Sequence, residues 1–151
     1  MTTWNERLET GHAQIDADHK EFFRQLHAVK VAVDGGAGRE RMVELITILQ
    51  QYVLGHFSRE EAHMVRVACP ALGANRNAHR DFAQRLDRWL ELLTMSGTPV
   101  SMLLDVHRES VSWIEAHIIN IDCRLRGCAS KDAAHGTDHS LLSAPAKPAT
   151  N

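Results

Sequence analysis

An all-α protein, folded as an up-down-up-down antiparallel four-helix bundle with an N-terminal arm and a C-terminal tail, is what this sequence predicts. Two observations carry the prediction. Apolar residues recur at spacings of three and four in four separate segments, with no comparable alternating pattern of the kind a half-buried strand requires. Short connections such as "DGGAG", "CPALG" and "MSGTP" separate the segments, which favours antiparallel neighbours whose apolar stripes cover one another. At 151 residues the chain suffices for one domain with a proper core.

The first segment begins at "IDADH", where Asp16 can serve as N-cap, and aligns Ile15, His19, Phe22, Phe23, Leu26, Val29 and Val33. The second starts near Glu40 and carries Met42, Leu45, Ile46, Leu49, Val53, His56, Glu60 and His63 on its inner face. From about Leu72, the third places Asn75, His79, Phe82, Leu86, Trp89 and Leu93 on one stripe. Pro99 suits the first turn of the fourth, whose stripe holds Leu103, Val106, Ser110, Trp113, Ile114, His117, Ile118 and Ile121. Gly127 marks its expected stop. Residues 1–126 then form the domain, and 127–151, rich in Ala, Ser and Pro without an apolar period, read as a flexible tail in which His135 and His139 are solvated.

Charge and composition exclude several functions. A net charge of -2 with scattered Lys and Arg gives no reason to expect a nucleic-acid partner. The start "MTTWNERLETGH" is not a secretory signal, and no stretch approaches the ~20 apolar residues of a membrane span, so a soluble, cytoplasmic protein without a membrane partner is expected. Cys69, Cys123 and Cys128 lack C-x-x-C spacing and are expected as reduced thiols. The unusual feature is the ten histidines, spread from His12 to His139.

Within "HFSREEAH", His56, Glu60 and His63 fall inside an arc of roughly 60° on a helix turning about 100° per residue. A core helix is harmed by such groups unless they find partners. The alternating topology supplies them: His19 near the start of helix one, His56 and Glu60 near the end of helix two, His79 near the start of helix three and His117 near the end of helix four all share one end. The convergent set is His19, His56, Glu60, His63, His79, His117 and Asp122. Imidazoles with two carboxylates suit iron, zinc or manganese, and the lack of cysteine in this layer argues against a soft metal. Two carboxylates can bridge a pair of metals roughly 3.5–4 Å apart. His12, His27 and His107 have no assigned partner, and His27 is expected to be structural or at the surface.

The succession "IDADH", "HFSREE", "NRNAH" and "HIINID", with Trp4 and "ETGH" ahead of it, resembles the hemerythrins, specifically their single-domain bacterial branch, over roughly residues 4 to 124. The resemblance implies a four-helix bundle around a non-heme diiron centre, oxo- or hydroxo-bridged, that binds dioxygen reversibly. By that likeness His19 and His56 would ligate one iron, His79 and His117 the other, while Glu60 and Asp122 bridge. It also implies that Trp113 shields the dioxygen pocket; Phe23, Ile114 and Ile118 would join its lining or simply fill the core. One position departs: Asn75 stands where the family usually has the first histidine of the third-helix pair, and His63 stands where it usually has an apolar residue. His63 lies one turn beyond Glu60, about 4.5 Å farther along the axis, on the side of the iron short of a ligand. It is therefore expected to replace the missing imidazole; the competing readings are Asn75 as an oxygen ligand, a water, or a partly filled site.

His117 and Asp122, five residues apart, are about 140° out of phase on a regular helix, so both face inward only with a π-type widening or a helix end. The other reading of Asp122 is a capping or exposed carboxylate. Dioxygen carriage, storage or sensing is the expected function. A peroxidase-like or nitric-oxide-responsive role is the alternative, and a metal buffer the non-catalytic rival. Carboxylate-rich diiron oxygenase sites differ from this imidazole-rich layer, which favours carriage over oxidation.

Overall fold

The computed structural model describes residues 4–95 and 97–128. Helix α1 spans Ala13–Asp34, α2 Arg39–Arg66, α3 Leu72–Thr94 and α4 Met102–Asn120, with single 3₁₀ turns at Glu6–Leu8 and Asp122–Arg124. No strand occurs among the described residues. Helix α1 packs on α2 and α4, and α2 packs on α3. Large rings close the remaining side, where Phe82 of α3 stacks on Trp113 of α4 with centroids 4.1 Å apart. The stripes anticipated from the periodicity become the core, with Phe22, Met42, Ile46, Leu49, Phe82, Leu86, Leu103 and Ile114 wholly removed from solvent. This is the antiparallel four-helix bundle.

Three boundaries correct the sequence reading. The N-cap of α1 is His12, whose Nδ1 accepts from the Ile15 amide at 3.4 Å, rather than Asp16. Asp16 sits inside the first turn, where a carboxylate favours the positive helix end, and its Oδ1 accepts from the Thr10 amide at 2.7 Å and the Thr10 hydroxyl at 2.8 Å. It therefore ties down the arm instead of capping the helix. Pro99 opens a tight turn, with Met102 N donating to Pro99 O at 3.1 Å and Leu103 N to Val100 O at 3.0 Å, so α4 begins three residues later. At its other end α4 stops at Asn120, not at Gly127. The chain runs on through the 3₁₀ turn into a helical turn at 125–128 because Leu125 and Cys128 are buried in a second cluster with Ile15, Met64, Val67 and Cys69. The rest of the expected tail, including His135 and His139, lies outside the described residues.

Helices α1 and α2 end in the same motif with different residues at its strained position. After α1, Ala37 N donates to Ala32 O and Gly36 N to Val33 O, with Gly36 at φ +71°. After α2, Cys69 N donates to Met64 O and Ala68 N to Val65 O, with Ala68 at φ +48°. A Cβ is unfavourable in that left-handed conformation. Ala68→Gly is therefore expected to stabilise the protein by about 1 kcal/mol in denaturant unfolding; a variant no more stable than the parent would show that the turn stores no such strain.

Candidate metal centre

Six side chains from all four helices and the second 3₁₀ turn meet at one end of the bundle. His19, His56, Glu60, His79, His117 and Asp122 are each at most 4 % exposed. Their ligand atoms form two groups able to hold a metal ion, His19–His56–Glu60 and Glu60–His79–His117, which share Glu60. Glu60 turns Oε1 toward His19 Nε2 at 4.0 Å and Oε2 toward His79 Nε2 at 3.2 Å. Asp122 divides its oxygens the same way, with Oδ2 3.4 Å from His19 Nε2 and Oδ1 3.1 Å from His117 Nε2. Both carboxylates thus span the two groups.

Asp122 reaches inward because α4 ends. Ile121 departs from helical geometry at φ -119°, ψ -62°, and the 3₁₀ turn swings Asp122 back over the layer that holds His117. Of the two distortions the spacing demanded, the helix end is the one used.

The donor chemistry fits cations. Glu60 Oε1, both Asp122 oxygens and both His19 ring nitrogens are buried and make no hydrogen bond among the described residues. Two such carboxylates buried in one layer are costly without positive charge between them. The Nε2 atoms of His79 and His117 lie 3.1 Å apart. Bonds of about 2.1 Å at right angles to one cation would span a ligand–ligand edge of that length. Burial pushes the His56 imidazole down in pKa, against the pull of Asp18, and so favours the neutral, ligating form. For Asp122 burial opposes ionisation, but His117 and His19 facing its oxygens outweigh it and hold the carboxyl below the usual range.

The family model for the hemerythrin HHE cation binding domain matches residues 10–124. The chain belongs to the hemerythrin family. It is 23 % identical over 124 residues to the myohemerythrin of Theromyzon tessulatum, covering 82 % of this chain and 90 % of that one. It is 24 % identical over 130 residues to the bacteriohemerythrin of Clostridium acetobutylicum, covering 81 % and 96 % respectively.

Asn75 and His63 are the two positions at which the resemblance set this sequence apart. Asn75 is buried; its Nδ2 donates to Glu60 Oε2 at 3.2 Å and to Met64 Sδ at 3.3 Å, while Oδ1 makes no hydrogen bond among the described residues. The structure does not bring His63 into either group. Its ring lies against His12, centroids 4.0 Å apart, and its Nδ1 faces Arg66 Nη2 at 3.0 Å.

Behind the ligands stand groups that sequence reasoning missed. Asp18 is 4 % exposed; its Oδ2 lies 3.2 Å from His56 Nδ1 and 2.9 Å from Arg59 Nε, while Oδ1 accepts from Gln14 and Tyr52. Burial works against the Asp18 charge, but His56, Arg59 and Gln14 together hold the carboxyl well below its ordinary range. Glu61 Oε1 lies 2.9 Å from His79 Nδ1. The signal was a carboxylate next in sequence to a ligand, Asp18 before His19 and Glu61 after Glu60, but each serves an imidazole on another helix.

Of the expected pocket lining, Ile114 and Ile118 are wholly buried and Trp113 stacks on the His117 ring with centroids 4.5 Å apart. Trp4 of the arm comes within 6.2 Å of the His19 ring. Phe23 faces a cavity of about 310 Å³ shared with His27, Lys30, Asp34, His107 and two valines. His27 is exposed, and partial burial pushes the His107 imidazole down in pKa.

Proposed function

We propose that this centre holds two iron ions and binds dioxygen reversibly, for carriage, storage or sensing. The observation that carries the reading is the sharing of Glu60 and Asp122 between two sets of imidazoles. His19 and His56 would hold one iron, His79 and His117 the other, and the two carboxylates would bridge, with an oxo or hydroxo group completing the pair. Iron there supplies reversible electron exchange with dioxygen. A donor set with more imidazoles than carboxylates favours the lower oxidation states used in carriage over those of oxygenases. Trp113, Ile114, Ile118 and Phe23 keep water from the ligand and so favour its release unchanged. No helix among the described residues is long and apolar enough to cross a membrane; the reading places the domain, residues 1–126, in the cytoplasm.

His63 takes the place of the imidazole that Asn75 lacks. In support, it is buried on α2 one turn past Glu60, although ligation requires its ring to leave Arg66. A second reading, a peroxidase-like or nitric-oxide-responsive centre, is favoured by Asn75 itself: an iron with fewer imidazoles keeps more positions open to exogenous ligands.

One measurement separates these readings. Reduced protein is exposed to air and then degassed while the visible spectrum is followed and iron is counted. Two irons per chain with a colour that appears and fades reversibly is the expected result. Sustained turnover of added peroxide favours the second reading, and no oxygen-dependent colour leaves a metal buffer. His63→Leu is expected to lower iron content and shift the spectrum; two irons and an unaltered spectrum would return the vacant position to Asn75 Oδ1 or to solvent.

A further inference from the structure

We propose that Glu61 is a positioning residue of the centre, fixing the His79 ring and strengthening it as a donor on the side where Asn75 supplies no imidazole. The inference rests on the diiron reading above.

The His79 ring is held on three sides. Phe57 stacks on its face with centroids 3.7 Å apart and planes 10° from parallel. One edge points into the centre, with Nε2 3.2 Å from Glu60 Oε2 and 3.1 Å from His117 Nε2. The other edge points outward, with Nδ1 2.9 Å from Glu61 Oε1. A carboxylate at Nδ1 is placed to accept from it, so with a cation in the centre the proton sits on Nδ1 and Nε2 is the nitrogen that faces the cation. Arg76 Nε, 3.2 Å from Glu61 Oε2, orients the carboxylate from α3. Glu61 is 25 % exposed and lines an open groove with Ser58, Arg76 and Arg80.

The arrangement is selective. Each group contains one imidazole backed by a carboxylate, His56 by Asp18 and His79 by Glu61. The Nδ1 atoms of His19 and His117 make no hydrogen bond among the described residues. In the group formed by Glu60, His79 and His117, His79 is thus the imidazole whose outward nitrogen faces a carboxylate. A carboxylate behind an imidazole raises its basicity, and losing such a partner typically costs about 10–100-fold in metal affinity.

The test compares Glu61→Gln, which keeps an acceptor and removes the charge, with Glu61→Ala, which removes both, and with Asp18→Asn. Iron-loaded chains are challenged with a chelator, the reduction potential is measured, and ¹⁵N spectra of the histidines are recorded in the iron-free chain. One of the two irons is expected to become about 10-fold easier to remove in Glu61→Gln and up to about 100-fold in Glu61→Ala. The other iron should be the one loosened by Asp18→Asn. The potential should rise in Glu61→Gln because the anion that favours the ferric state is gone. The wild-type spectrum should show His79 protonated on Nδ1, with Glu61→Ala shifting it toward a tautomer mixture. Wild-type chelator resistance and potential in both Glu61 variants, or a wild-type His79 protonated on Nε2, would overturn the proposal. A wild-type chain that retains no iron sinks the diiron reading instead, and the nitrogen spectra still decide how Glu61 sets the His79 ring.

Discussion

Glu60→Gln is expected to lose both irons while making the iron-free chain more stable. Glu60 is wholly buried and is shared by both ligand groups, with Oε1 toward His19 and Oε2 toward His79. Glutamine keeps the shape but replaces one acceptor oxygen with an NH₂ and removes the negative charge. Iron content should fall from the proposed two per chain to less than one. In the iron-free chain the same change removes a buried charge whose Oε1 makes no hydrogen bond among the described residues, which is worth about 1–3 kcal/mol. Iron counting and denaturant unfolding of the iron-free form read the two effects separately. A variant that keeps two irons would show that Glu60 does not bridge, and one less stable without iron would show that its charge is satisfied by the protein alone.

The second large effect is structural. Phe82 is wholly buried and stacks on Trp113, with Phe22, Phe57 and Trp89 rings within 5.9, 6.5 and 6.1 Å. Since α3 and α4 meet through these rings, Phe82→Ala leaves a hole that neighbouring helices cannot readily close. A loss of about 3–5 kcal/mol is expected, lowering the melting temperature by roughly 10 °C or more. Trp113 loses its support, so the His117 ring that it covers should be the first ligand to loosen, seen as faster iron loss. A loss below about 1 kcal/mol would mean that the aromatic side of the bundle repacks.

The helices were legible because apolar periodicity is a local signal, and Ile46, Leu49 and Val53, or Phe82 and Leu86, could only face inward together. Their ends were less so. Asp16 is the better N-cap by residue type, yet the arm folds back so that Thr10 claims its carboxylate and His12 caps instead. Gly127 looked like a stop, but the burial of Leu125 and Cys128 carries the helical turn past it. At the site, topology alone was enough to bring His19, His56, Glu60, His79 and His117 to one end. The His117–Asp122 spacing announced a distortion without saying which, because that depends on how residues 121–128 pack. Asp18 and Glu61 stayed hidden for another reason: their imidazoles are 38 and 18 residues away, and such pairings leave no periodic trace.

The donors of this centre belong to α1, α2, α3, α4 and the turn after it, so a bound cation is also a cross-link through the whole bundle end. A ligand held only by the folded chain shifts the folding equilibrium toward it in proportion to its occupancy. Without a cation that staple is absent, and the four helices are held together at this end by their packing and hydrogen bonds. Supply of the cation would then set the stability of this end of the fold as well as what the centre can bind.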